Sequence, residues 1–459
     1  MLLLLDDFAP VFSQGRVFER ARRQALGLLV SLGIRTVARV LAATGRDQCD
    51  WTAEYRLFSR SPWQSRQLSL PIIRRSLPFA GRENEPIVLA GDFTHLPKSG
   101  KQIPQRHCMR DPLSPPFHVN LIYGLRFFQA TVLCPFRDRS LAARSIPLRF
   151  EASPVVAKPG KKASAEQRTE YKRNLKKRLG SVAARQVLVE LREDFDRAGA
   201  SARPLLAVLD GSFCNQVFFK EALPRIELLC RCRKDAVLCL AQASEAQLKG
   251  VQRFYDPKTF SPESVLQDQS IPYKSGSFFH GGSFHQIRYK EVGQVFWRKG
   301  AGRRPLRLIV IAPTGYRLHQ RGRLLYRQPA FLLTTDLVSP AEFLIAAYLE
   351  RWQIEINHRE EKSTLGLGQA QVRHPLSVPR QPALVVAVYA LLLLAALRAY
   401  GPQRTADYLP PPKWARPSQR PSCLDLLSLL RKQCLENPEL LQGINIQASA
   451  LNLVLKAAA

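Results

Sequence analysis

IVLAGDF, residues Ile87–Phe93, and PLLAVLDG, residues Pro204–Gly211, are the two stretches that decide how this chain folds. Each is a short apolar run closed by an acid, the pattern of a buried strand that delivers a carboxylate at its end. HVNLIYGLRF (His118–Phe127) and QATVLCPF (Gln129–Phe136) predict two more strands, joined by a turn near Phe128. Glu166–Ala198 predicts one long helix between these strands and the second acid-ended run. Three strands, a helix and a further strand make an α/β domain with a mixed sheet.

Outward from this core the pattern changes twice. Residues 15–60 repeat apolar positions at helical spacing, with Arg16, Arg20, Arg22, Arg23, Arg35 and Arg39 between them. They predict an N-terminal helical domain over 1–80, either a small DNA-binding bundle or a helical cap on the next domain. Residues 81–225 form the first part of the core. Segments such as RIELLCRC, VFWRKG and LRLIVIAPTG make 226–335 a β-rich insertion. The core resumes over 336–400, and 401–459 is a Pro-rich linker with a short helical tail, helical over about 422–455.

Across 459 residues, Lys and Arg number 68 against 37 Asp and Glu, a formal charge of +31. So large an excess repels itself unless it meets a polyanion, which makes nucleic acid the first partner and an anionic membrane surface the second. Hydrophobic residues at 46% exclude a mainly disordered chain. Nine cysteines, with no export signal in MLLLLDD, fit a reducing cytosol. Ala383–Leu397 is uncharged but falls short of the roughly 20 residues that span a bilayer, so it is expected as a buried helix. No Walker A loop, GxGxxG or GxSxG is present, which removes the main support for nucleotide-driven and serine-hydrolase chemistry.

SPAE at Ser339–Glu342 predicts a helix start with a capping box, running to about Leu365 before Gly366. Tyr348, Arg351, Glu355 and Lys362 then fall within an arc of roughly 60° along one face. Arg351 and Glu355 alone would be an ordinary i, i+4 surface pair. Flanked by Ile354 and Ile356, however, Glu355 is a candidate partly buried carboxylate, and such a group requires a cation. If the strands ending in Asp92 and Asp210 are neighbours, the helix can bring Glu355 to the same rim. Three acids there repel one another unless divalent cations neutralise them. Mg²⁺ suits oxygen ligands and phosphates, and a pair of ions roughly 3.5–4 Å apart serves in-line phosphoryl displacement.

The set Tyr348, Arg351, Glu355 and Lys362 resembles the Y-(2)-R-(3)-E-(6)-K signature of bacterial insertion-sequence transposases of the DDE superfamily. GDFTHLPKSGK (Gly91–Lys101) resembles the first-Asp motif of that family and VLDGSFCN (Val208–Asn215) the second. The long gap between Asp210 and Glu355 is similar to the branch whose ribonuclease-H-like core is interrupted by a β-strand domain. Gly91 departs from the pattern, since many relatives carry a second Asp there. The resemblance covers roughly residues 10–400. It implies a ribonuclease-H-like mixed sheet with flanking helices, and Asp92, Asp210 and Glu355 as ligands of two Mg²⁺ ions, with Mn²⁺ able to substitute. It implies phosphate contacts from Tyr348, Arg351 and Lys362. The implied activity is cut-and-paste DNA transposition by a homodimer on inverted-repeat ends and target DNA, in the bacterial cytoplasm at the nucleoid. A DNA-binding descendant that no longer cuts is the alternative.

Further DNA contacts are expected from Lys98 and Lys101, just past the first Asp, and from His358 and Arg359 beside the Glu355 face. The run Lys158, Lys161, Lys162, Arg168, Lys172, Arg173, Lys176, Lys177 and Arg178 is either a solvated helix face or a phosphate-contact surface. Trp297, beside Arg298 and Lys299, is either a stacking platform for a base or an ordinary sheet aromatic. Cys230, Cys232 and Cys239 with His280 and His285 lack the second C-x-x-C pair of a structural zinc site.

Overall fold

The computed structural model describes residues 1–111, 114–115, 117–136, 141, 143–156, 158–160, 162–241, 254–317, 319, 322–411, 413–414 and 418–438. Five helices come first: α1 (Leu2–Asp6), α2 (Gly15–Val30), α3 (Val37–Ala43), α4 (Thr52–Ser59) and α5 (Ser69–Ser76). The sheet begins with β1 (Ile87–Pro97), β2 (His107–Arg110), β3 (Leu121–Cys134) and β4 (Arg144–Ala152). Then follow α6 (Ala165–Lys176), α7 (Leu179–Arg197), β5 (Leu205–Leu209), α8 (Gln216–Phe219) and β6 (Ile226–Arg231). After β7 (Leu238–Ala241) and β8 (Tyr255–Phe260), a separate pair, come α9 (Pro262–Gln267), β9 (Lys274–His280), β10 (Ser283–Val295), α10 (Arg298–Ala301) and β11 (Leu306–Ile311). A small hairpin of β12 (Gly315–Tyr316) and β13 (Leu325–Tyr326) precedes β14 (Ala330–Thr334). The chain closes with α11 (Ala341–Glu350), α12 (Gln353–Ser363), α13 (Ser377–Tyr400) and α14 (Cys423–Glu436).

One ten-stranded sheet runs β2-β3-β1-β5-β6-β14-β11-β10-β9, with β4 paired to β3. β1, β5 and β6 are parallel and the remaining pairs antiparallel, so the sheet is mixed and its flanking helices give the α/β architecture of a ribonuclease-H-like fold. β9, β10, β11 and β14, from the segment expected as an insertion, hydrogen-bond into this same sheet through β6.

Alternation along the strands creates two cores. Ile87, Leu89, Leu205, Ala207 and Leu209 face α7, α13 and the N-terminal helices. Val88, Ala90, Leu206 and Val208 face the other way, onto Phe343, Leu344 and Ile345 of α11. α13 is long and apolar enough to cross a membrane, but 72% of its most apolar window is buried inside the fold, against β4, α2, α4 and α5. Each large aliphatic side chain so covered stabilises by about 1.5–3 kcal/mol.

Several local expectations are corrected. His118–Phe136 holds one strand, β3, and not two: Phe128, Gln129 and Ala130 pair without interruption to Phe93, Asp92 and Gly91, and the hairpin partner is β4. Within β3, Gly124 marks close approach of the neighbouring strand, since a Cβ there would lie 2.4 Å from the Leu96 carbonyl oxygen. The long helix over 166–198 is broken at Arg178, which adopts φ 47° and ψ 46°. The helix expected from Ser339 has no capping box: Pro340 is its N-cap, and Asp336 Oδ1 accepts from the backbone N–H of Val338 and of Ser339 at 2.9 and 2.8 Å. It also breaks at Arg351–Trp352 into α11 and α12. Of the tail expected to be helical over 422–455, α14 is seen; residues 439–455 lie outside the described residues, as does Lys161.

The N-terminal arginines are largely engaged internally. Arg23 pairs with buried Glu54 at 2.9 Å, Arg22 with Glu19 at 3.0 Å, and Arg35 donates to the carbonyls of Leu28 and Ser31. Arg16 and Arg39 are exposed. With α2, α4 and α5 packed on α13, these helices cover the core.

Candidate active site

Strand parity places the first two acids. Asp92 continues the series Val88, Ala90, and Asp210 continues Leu206, Val208, so both carboxylates leave the sheet on the face covered by α11. The parallel register pairs Gly91 with Leu209, which makes Asp92 and Asp210 neighbours where that pairing ends. Asp210 lies just past β5, whereas Asp92 lies inside β1, which runs on to Pro97 and does not stop at the acid as its apolar run suggests. Open α/β sheets bind ligands at the carboxyl ends of parallel strands. Asp210 caps a turn, accepting from the Ser212 N–H at 2.9 Å and from its hydroxyl at 2.6 Å. Beneath it Phe213 stacks on Phe93, with centroids 4.7 Å apart.

Gly91 points to the opposite face. A Cβ there would sit 2.6 Å from Leu209 Cδ2 and 2.9 Å from Phe128 Cζ. A second acid at this position would have no room and would face away from Asp92, so Gly91 costs the site no ligand.

The third acid arrives on α12. Ile354 is buried in the same core as Val208 and Ala90, and its neighbour Glu355 is half-buried at the rim. Two hydrogen bonds hold α12 across the sheet: Gln129, the register partner of Asp92, donates to Glu361 Oε1 at 2.6 Å, and Asn357 donates to the Ser145 carbonyl at 2.5 Å. Glu361 is fully buried, and burial pushes its carboxyl up to about 8, so it is a neutral structural acid at neutral pH.

Arg351 joins the two halves. Its Nη2 donates to Glu355 Oε1 at 2.8 Å and its Nη1 lies 3.5 Å from Asp92 Oδ2. Asp92 is pushed up to about 7, first by burial and then by the charge of Asp210, against the pull of Arg351 and the Phe93 N–H; Glu355 adds to the push. That carboxyl therefore feels the charge of both other acids, Asp210 more than Glu355. Among the described residues, no three His, Cys, Asp or Glu side chains, Asp92, Asp210 and Glu355 included, are gathered closely enough to hold a metal ion together. The guanidinium stands between two of the three acids instead. The donor set remains suited to Mg²⁺, whose sites use one or two carboxylates plus substrate phosphates and several waters, not an all-protein cage.

The other candidates divide. Tyr348 borders a groove beside Arg351. Lys362 is half-buried, and burial lowers its ammonium below the usual range. His358 has an enclosed Nε2 without a hydrogen-bond partner and is pushed down to about 3 by burial and by Lys362 and Arg351. Lys98 is turned inward, donating to the carbonyls of Gly368 at 2.8 Å and Ala370 at 2.6 Å. Trp297 packs on Phe219 and over the backbone of Gly300, which makes it a packing aromatic and not an open platform. Lys101 and Arg359 are exposed, as are Lys172, Arg173, Lys176 and Lys177 on α6, a helix with no buried residue. Cys230, Cys232 and Cys239 are buried, while His280 and His285 lie in the β9–β10 hairpin.

Sequence reasoning missed Gln129 and Asn357, which position α12. The one signal for Gln129 was a polar residue inside an otherwise apolar strand. It also gave Ser212 no role, though that residue fixes Asp210.

The fold and the acidic rim together define a nuclease-like site built on a mixed sheet. Comparison with protein families agrees: the model for DDE superfamily endonucleases matches residues 7–301, and the chain belongs to that family. The match takes in Asp92 and Asp210 and ends before α12. Comparison with curated proteins finds no match.

Proposed function

We propose that this protein is a DNA transposase that cleaves transposon ends and transfers the freed strand to target DNA, a metal-dependent phosphoryl transfer of the cut-and-paste type. One observation carries the proposal: Asp92 and Asp210 are neighbours in register, and Arg351 joins Asp92 to Glu355, so three acids far apart in sequence border a single rim. In this reading Asp92, Asp210 and Glu355 hold two Mg²⁺ ions, with Mn²⁺ as a substitute. Such ions, when bound, activate the attacking oxygen and neutralise the leaving one. The chain's own residues supply orientation. Gln129 and Asn357 fix α12, Ser212 fixes the Asp210 carboxylate, and the Phe93–Phe213 stack supports the rim. Arg351 holds Asp92 and Glu355 together until a phosphate and cations compete for the same charges. Tyr348, Arg351 and Lys362 line the path of the scissile strand, and α6 tracks the backbone further out.

The substrate is double-stranded DNA carrying inverted-repeat ends, bound by a homodimer in the bacterial cytoplasm. Substituting Asp92→Ala should abolish nicking of an end-containing duplex while binding persists; unchanged nicking refutes the assignment. A descendant that binds without cutting is the rival, favoured by the guanidinium lying between two of the acids. Mg²⁺-dependent nicking by the wild-type chain would exclude it.

A further inference from the structure

A groove of about 820 Å³ opens beside the acidic rim. Its near wall is Arg351 and the exposed ring of Trp352. Its far wall is His280 at the β9–β10 tip and Arg327, which follows β13. Glu350 also lines it, but burial pushes that carboxyl up to about 7, with Arg420 opposing the push. Arg420 is itself committed to the Ala143 carbonyl and to Gln353 Oε1. Three guanidiniums, Arg327, Arg351 and Arg420, thus face the groove, and Arg351 is paired with the carboxylates of Asp92 and Glu355.

The element carrying Arg327 has no evident structural purpose. β12 and β13 pair through two residues each, Gly315 with Tyr326 and Tyr316 with Leu325. Tyr326 is 64% and Leu324 41% exposed. From Ala312 to Pro329 the sequence contains four arginines and no Asp or Glu. Arg327 lies over the Tyr316 ring at 5.3 Å, and Arg323 is exposed. Exposed cations beside one open aromatic ring, Tyr326, suit a nucleic-acid strand, whose phosphates meet the charges while a base stacks on the ring.

We infer that a single DNA strand leaving the acidic rim runs through this groove and is gripped beyond it by the β12–β13 hairpin. The inference rests on the DNA-cleaving function proposed above and adds to it a site for the unpaired flank. At about 820 Å³ the groove has room for a short run of one strand.

The test is binding of the full chain carrying Asp92→Asn, without metal, to labelled DNA ends that are blunt or bear a single-stranded flank. Adding Arg323→Gln and Arg327→Gln should weaken binding of the flanked end about tenfold and leave the blunt end unchanged. Withdrawing two cations from the phosphates of a single strand should also flatten the salt slope on the flanked end by about 1.4. Equal weakening on both ends, or none on either, overturns the inference. As a second measurement, Tyr326→p-benzoylphenylalanine should photo-crosslink to the flank; crosslinks confined to duplex, or none, overturn it as well. If the parent chain binds neither DNA, the underlying function falls instead.

Discussion

Substituting Asp92→Asn should make the folded protein more stable, and more so as pH rises. Burial and the charges of Asp210 and Glu355 raise this carboxyl from 3.8 to about 7, so the fold resists its ionisation. Between those values the native state holds a proton that the unfolded chain has released, and stability falls as pH rises through that window. At 1.36 kcal/mol per unit, the full penalty above pH 7 is on the order of 4 kcal/mol. Asparagine imitates the neutral acid and escapes the penalty. Its gain should be near that size at pH 8, less than half of it at about pH 5, and negligible near pH 3.8. Urea unfolding of both chains at pH 5 and pH 8, in chelator, measures the difference. A variant that is less stable, or equally displaced at both values, would refute the claim that the fold resists ionisation of this carboxyl.

Other outcomes follow from the same interactions. Lys98→Met should cost about 1–3 kcal/mol in urea unfolding, because it leaves the carbonyls of Gly368 and Ala370 without their donor; a cost below about 0.5 kcal/mol would mean that the ammonium was not anchoring them. Gly91→Asp should destabilise by at least about 1–3 kcal/mol through collision with Leu209 and Phe128, seen as a lowered Tm, and an unchanged Tm would refute the packing argument. Replacing Lys172, Arg173, Lys176 and Lys177 with Gln should leave Tm unchanged, since α6 buries nothing, yet flatten the salt dependence of DNA binding by about 0.9 for each phosphate deprived of its cation. An unaltered slope would make α6 a solvated helix. Arg351→Ala should strengthen Mn²⁺ binding about tenfold or more in the absence of DNA, because a cation near two carboxylates is removed; titration followed by electron paramagnetic resonance would show it, and weaker binding would count against Arg351 as a competitor.

The acidic rim was legible because its causes are local. An apolar run fixes a strand, the end of β5 fixes where Asp210 emerges, and the parity of Val88, Ala90 and Asp92 fixes the face. The break at Arg351–Trp352 was not legible, because both residues keep right-handed helical dihedrals and only the hydrogen-bond spacing shortens there. Nor was the fate of the cations. Sequence counts Arg23, Arg35 and Lys98 as charges available to DNA, whereas Glu54 and backbone carbonyls use them, and those partners lie far along the chain in two of the three cases. The single long strand β3 was not legible, because its passage through Phe128 is fixed by pairing with Phe93, Asp92 and Gly91, residues far earlier in the chain.

The acidic corners come from β1, from the end of β5 and from α12, and the last of these enters only after β14 has closed its place in the sheet. A polypeptide that stops early keeps Asp92 and Asp210 side by side but has nothing to set opposite them. Translation and competence would thereby be linked under the proposed function: an incomplete copy, however well its first strands assemble, carries two of the three acids and lacks the helix that brings the third.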